Sequence, residues 1–151
     1  MCRSGLTDFF RITNIPLMEF ISVFDMLKIG IGPSSSHTLG PWKAALLFID
    51  EFVEAHDEES IEALYIDLYG SLALTGVGHG TDFAVVLGLT GYQPDTVPLD
   101  RVKLVPQMIK NTGKIHFNSK KRIPFDYDKD IRFHKDESLD FHPNGMRITA
   151  R

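Results

Sequence analysis

The hydrophobic period of this chain changes between residues 53 and 61, and that change constrains the fold more than any other feature. Before it, Trp42, Ala45, Leu46, Ile49 and Val53 recur at i, i+3, i+4, i+7 and i+11, the spacing of one helix face. Pro41 suits an early helical position, and the polar stretch 56–60 ends the pattern. Over residues 61–74, IEALYIDLYGSLAL, the residues Leu64, Ile66 and Leu68 alternate with Tyr65, Asp67 and Tyr69, which predicts a strand. A glycine-rich loop, TGVGHGTD, follows, and FAVVLGLTGY after it reads as a buried helix. QPDTVPLD is a linker or helix entry, and RVKLVPQMIKN reads as a helix that Pro106 must kink or interrupt. From Thr112 onward short alternating runs take over: KIHFN, RIPFD, DIRFHK, LDFH and MRIT, with Asn144-Gly145 as a two-residue hairpin signal between the last two. The expected order is α-β-α-β-β-β, an α+β fold with helices packed on one face of a sheet.

At 151 residues and 43% hydrophobic content the chain suits one domain with a real core. The first 17 residues lack periodicity and read as an N-terminal extension, leaving 18–151 as the domain. A net charge of −4 with both signs interspersed provides no broad positive field for nucleic acid, and the basic triplet at 120–122 reads as a solvated turn. No apolar run approaches the ~18 residues of a membrane span, and an N-terminus carrying Asp8 does not read as a secretory signal. A cytoplasmic location without membrane contact is the expectation. Cys2 is the sole cysteine, so the chain forms no internal disulfide and cannot by itself supply the thiolates of an iron–sulfur or multi-thiolate metal site.

Two loops carry the chemistry. IGIGPSSSHT precedes the first helix, where N–H groups without intrahelical partners and the positive dipole end attract anions. Ser34, Ser35, Ser36 and Thr38 add hydroxyl donors there, although one would suffice as a cap. A carboxylate or phosphate site and a redundant cap in a solvated turn both fit. In the second loop Gly76, Gly78 and Gly80 surround His79 and precede Thr81 and Asp82. A loop histidine alone reads equally as solvent-exposed, and Asp82 as a first-turn residue favoured by the dipole. If the two helices are neighbours, however, His37 and His79 share one mouth, where two imidazoles could orient a carboxylate or move a proton. GVGHG matches neither the dinucleotide fingerprint nor a P-loop, which needs a Lys. His142, in FHPNGM, either packs in its turn or faces the same mouth, while His116 and His134 read as surface positions. Asp126, Asp128 and Asp130 lack the remaining ligands of a cation loop and read as a charged hairpin.

Three strings in order, SVFDMLKIGIGPSSSHTLGPWKAA, YGSLALTGVGHGTDFAVVLGLTG and FHPNGM, resemble the N-terminal or beta domain of the iron–sulfur-dependent L-serine dehydratases, from about residue 21 to 150. The resemblance implies a mixed sheet, as in the similar allosteric substrate-binding domain of some phosphoglycerate dehydrogenases. It implies conversion of L-serine to pyruvate and ammonia without pyridoxal phosphate, together with an alpha domain or subunit whose cysteines hold a [4Fe–4S] cluster. This chain would then be a fragment or beta subunit, homodimeric in the full protein, binding no cluster and inactive alone. Elimination from serine needs a base for the α-proton and a Lewis acid on the leaving hydroxyl. The resemblance thus assigns His37 and His79 to catalysis, and Ser34, Ser35, Ser36, Thr38, Gly78, Gly80, Thr81, His142 and Asn144 to substrate or anion binding. The alternative is a regulatory module that binds serine or another small anion away from the chemistry.

Overall fold

A computed structural model describes residues 34–151; the expected extension at 1–17, with Cys2, and the run MEFISVFDMLKIGIGP lie outside the described residues. The elements are α1 (Leu39–Ala55), a 3₁₀ turn (Glu58–Ser60), β1 (Leu64–Tyr69), α2 (Ser71–His79), α3 (Thr81–Leu89), α4 (Leu99–Thr112), β2 (Lys114–Phe117), β3 (Lys121–Pro124), α5 (Tyr127–Asp130), β4 (Ile131–His134) and β5 (Met146–Ala150). β1 is the centre of a mixed sheet in the order β4-β1-β5, parallel to β4 and antiparallel to β5. The fold is therefore α+β with a mixed sheet.

Alternation along β1 separates the two sheet faces. Leu64, Ile66 and Leu68, with Ile131 and the partly buried Phe133, Met146 and Ile148, join the helices in one hydrophobic core. Tyr65, Asp67, Tyr69, Arg132, His134 and Arg147 occupy the other positions of the same strands. At the middle of the core lies α3, where Asp82 and every residue from 84 to 89 is buried, as an all-round apolar sequence requires. α1 crosses it closely because position 88 is glycine: a Cβ there would sit 2.7 Å from the Ala45 Cβ and from the Trp42 carbonyl oxygen. The helix face read from the sequence holds at Trp42, Ala45 and Ile49, which are buried; Val53, 38% exposed, has left the core.

The order differs from the expected one at four places. The strand ends at Tyr69 rather than continuing to 74, because Gly70 turns the chain at φ +56° against the Pro143 carbonyl, where any Cβ would collide. The supposed glycine-rich loop is helix α2, ending at His79. LDFH is no strand; Leu139 and His142 make an isolated bridge, so Asn144-Gly145 joins no hairpin. The tight hairpin is instead β2–β3, a separate two-stranded sheet whose turn passes through Asn118 and Ser119, both at positive φ. In addition, α4 runs through Pro106 without a break, and residues 126–130 form a helical turn capped by Asp126 rather than a charged hairpin.

Candidate active site

Gly80 positions the second histidine. It is at once the C-cap of α2 and the N-cap of α3, in the left-handed conformation at φ +77°, and the two helices meet there at a bend of 87°. His79 is thus the last residue before the corner, while Thr81 is the first residue after it. Two of the glycines around this corner serve different ends. A Cβ on Gly76 would lie 3.1 Å from the Thr81 side chain, so glycine lets α2 close onto the start of α3. Around Gly78 nothing among the described residues lies within 4 Å of the place a Cβ would take.

The corner meets the segment before α1. The His37 and His79 rings stand 4.9 Å apart, centroid to centroid, tilted by 33°. His79 Nδ1 lies 2.8 Å from the Thr75 carbonyl oxygen; a carbonyl only accepts, so Nδ1 carries the hydrogen and Nε2 of the neutral ring keeps its lone pair. His37 Nδ1 faces two hydroxyls, Ser36 Oγ at 3.0 Å and Ser34 Oγ at 3.3 Å, which are themselves 3.1 Å apart. His37 Nε2 is buried and has no hydrogen-bond partner among the described residues. Two imidazoles side by side, each with an uncommitted Nε2, can exchange protons with a small ligand and orient its carboxylate.

Other residues read as ligand donors have different work. Thr38 is the α1 N-cap but makes no side-chain capping bond; it is buried and donates its hydroxyl to the Ser34 carbonyl at 2.7 Å. Thr81 is wholly buried, and its hydroxyl donates to the His37 carbonyl at 2.6 Å. Both hydroxyl hydrogens are spent inside the protein, which removes these threonines from the set of anion donors. Ser35 is exposed and has no side-chain partner among the described residues, so it remains a donor to spare.

His142 and Asn144 are not brought to the histidine pair. The Asn144 Oδ1 accepts the Ser71 N–H at 2.7 Å, satisfying the first turn of α2, and the Asn144 N–H donates to His142 Nδ1 at 3.0 Å. They thus sit at the beginning of α2 and His79 at its end, about 12 Å away at 1.5 Å per residue.

Beside His79 lies a small apolar cleft of about 130 Å³ lined by Trp42, Gly80, Phe83, Ala84, Leu87 and Val102. A larger cavity of about 510 Å³, walled by Glu62, Tyr65, Lys110, Tyr127 and the aspartates at 126, 128 and 130, contains none of the candidate site residues. Reading His134 as a surface position missed its partners: Nε2 lies 2.7 Å from Asp67 Oδ1, and the ring stacks on Tyr69 at 4.7 Å. Asp67 in a hydrophobic strand was the available signal, since a buried carboxylate needs a donor. Among the described residues no group of three or more His, Cys, Asp or Glu side chains is placed to hold a metal ion.

Residues 22–151 match the family described as serine dehydratase beta chain. The chain is similar to an L-serine dehydratase of Haemophilus influenzae, 45% identical over 131 residues, and to L-serine dehydratase 2 of Escherichia coli, 46% identical over 131 residues. It is also similar to an L-serine dehydratase of Streptomyces coelicolor, 44% identical over 130 residues. Each alignment covers 86% of this chain but 29% of the relative, so the chain spans less than a third of the length of these proteins.

Proposed function

The chain belongs to the serine dehydratase beta-chain family, and on that premise we propose that residues 18–151 are the beta domain of an L-serine dehydratase whose active site closes over His37 and His79. The observation that carries the reading is the pair of imidazoles 4.9 Å apart, with a buried Nε2 on His37 that has no partner among the described residues. A polar nitrogen is costly to bury without a partner, and a substrate carboxylate or ammonium would supply one.

In this reading the substrate carboxylate takes hydrogen bonds from Ser35 and the neighbouring hydroxyls, while His79 Nε2 removes the α-proton of serine. The β-hydroxyl leaves as water with the proton that His79 took, and the resulting enamine tautomerises to an imine, which a second water hydrolyses to pyruvate and ammonia. The Thr75 carbonyl holds the His79 tautomer that makes Nε2 the acceptor. With a single cysteine this chain does not fit a [4Fe–4S] cluster, whose thiolate ligands would have to come from the rest of the complete protein. An apolar surface supports a partner beside the pair: Leu74 and Val77 are 61% and 67% exposed on the helix that ends in His79, and Gly78 leaves open space next to them.

The test uses the isolated chain and the complete protein side by side. After anaerobic reconstitution with iron and sulfide, pyruvate formation from L-serine is expected from the complete protein and absent from the isolated chain. Turnover by the isolated chain overturns the two-part reading, and a complete protein inert toward serine overturns the activity.

A further inference from the structure

We propose that Thr81 is the positioning residue that fixes the distance between the two imidazoles, an inference that rests on reading His37 and His79 as a working pair. Among the described residues, the other backbone hydrogen bonds of the segment before α1 stay within it or run to the first turn of α1. The His37 and Thr38 N–H groups and the Thr38 hydroxyl all donate to the Ser34 carbonyl, and the Gly40 N–H donates to the Ser35 carbonyl. These bonds shape the turn but do not say where it lies relative to His79. Among the described residues, the hydrogen bond that ties this turn to the α2–α3 corner is the one from Thr81 Oγ1 to the His37 carbonyl.

Its placement makes it an effective tie. The acceptor is the backbone of His37 itself, and the donor stands two residues after His79, so the bond joins the two histidines through short, stiff paths. Thr81 cannot turn its hydroxyl to water, because it has no exposed surface, and Gly76 lies close behind it, where a Cβ would come within 3.1 Å of both Thr81 Cβ and Oγ1. His79 is held independently by its bond to the Thr75 carbonyl and by the left-handed turn at Gly80. Loss of the Thr81 hydroxyl should therefore leave His79 in place and release His37. Displacement of a reacting or orienting group by about 1 Å costs on the order of 100-fold in rate, so the effect should be large in kcat.

The experiment compares Thr81→Val, which keeps the shape and removes the donor, with Thr81→Ser, which keeps the donor. In the labelled chain, a proton–proton NOE between the His37 and His79 rings is expected in the wild type and in Thr81→Ser and should vanish in Thr81→Val. In the complete protein, Thr81→Val should lower kcat at least tenfold with KM changed less, and Thr81→Ser should restore most of it. A Thr81→Val chain that keeps the ring contact overturns the proposal. So does a Thr81→Ser protein as impaired as Thr81→Val, since packing rather than the hydroxyl would then be at work. If Thr81→Val does not fold, Thr81→Ala is read by the same NOE. The ring contact is measured without substrate, so a complete protein inert toward serine would overturn the proposed reaction and leave this readout standing.

Discussion

Tyr127 donates its hydroxyl hydrogen to Asp82 Oδ2 across 2.9 Å, joining α5 to the first turn of α3 inside the core. Asp82 is buried, and its other oxygen, Oδ1, has no partner among the described residues, so the phenol is the donor on which this carboxylate depends. The helix dipole of α3 favours the charge at that position but supplies no replacement donor.

Tyr127→Phe is accordingly expected to destabilise the chain by about 2 kcal/mol, the usual cost of removing a hydrogen bond to a charged group, read from urea unfolding at neutral pH. Burial first, then the Asp82 charge and the hydrogen bond to it, raise the Tyr127 phenol far above its ordinary value. A phenol raised on folding contributes stability that is whole below its unfolded value of about 10 and is lost as pH climbs beyond it, because the unfolded chain releases a proton that the folded chain retains. The wild-type melting temperature should therefore fall more steeply above about pH 10 than that of Tyr127→Phe. Parallel slopes would contradict the assignment.

The glycines flanking His79 separate by conformation. Gly78 lies inside α2 with no positive φ and, among the described residues, open space around it, so Gly78→Ala should stabilise the isolated chain by about 0.5 to 1 kcal/mol. Gly80 is left-handed, and Gly80→Ala should cost about 1 to 2 kcal/mol. Urea midpoints of the two variants, moving in opposite directions from the wild type, check both. In the complete protein a bulky residue such as Gly78→Leu should impair turnover by meeting the proposed partner domain, although open space surrounds the position among the described residues.

How much of this was legible in the sequence depends on how local each signal is. β1 announced itself through Leu64, Ile66 and Leu68 because alternation is a property of neighbouring residues. α2 did not, since Gly76 and Gly78 are poor helix formers and the packing that overrides them, the bare Gly76 backbone against the Thr81 side chain, joins residues of different elements. The same limit hid the hairpin. Asn144-Gly145 looks like a turn between strands, but Asn144 is drawn across 73 positions of sequence to cap Ser71, while the less conspicuous Asn118-Ser119 makes the turn.

At the site, the meeting of His37 and His79 could be anticipated from matching positions before two helices, even though the second segment is itself helical. The division of labour among the hydroxyls could not. Ser35 and Thr38 look alike as donors in the sequence, and burial distinguishes them: Thr38 turns inward to the Ser34 carbonyl and Ser35 outward to solvent. Likewise Asp67 and His134 lie 67 positions apart and meet because β1 and β4 run parallel in adjacent register.

The central claim, that His79 acts on serine rather than shaping a distant response to it, is tested most directly by steady-state kinetics of His79→Ala in the complete, reconstituted protein. The account predicts that kcat falls by roughly 100-fold or more, as for loss of a general base, while serine binding changes little. Ser35→Ala, as the comparison, should weaken binding by about 1 kcal/mol and leave kcat near the wild-type value. A His79→Ala protein that keeps its kcat and alters only the shape of the serine saturation curve would contradict the account and make this domain a regulatory one.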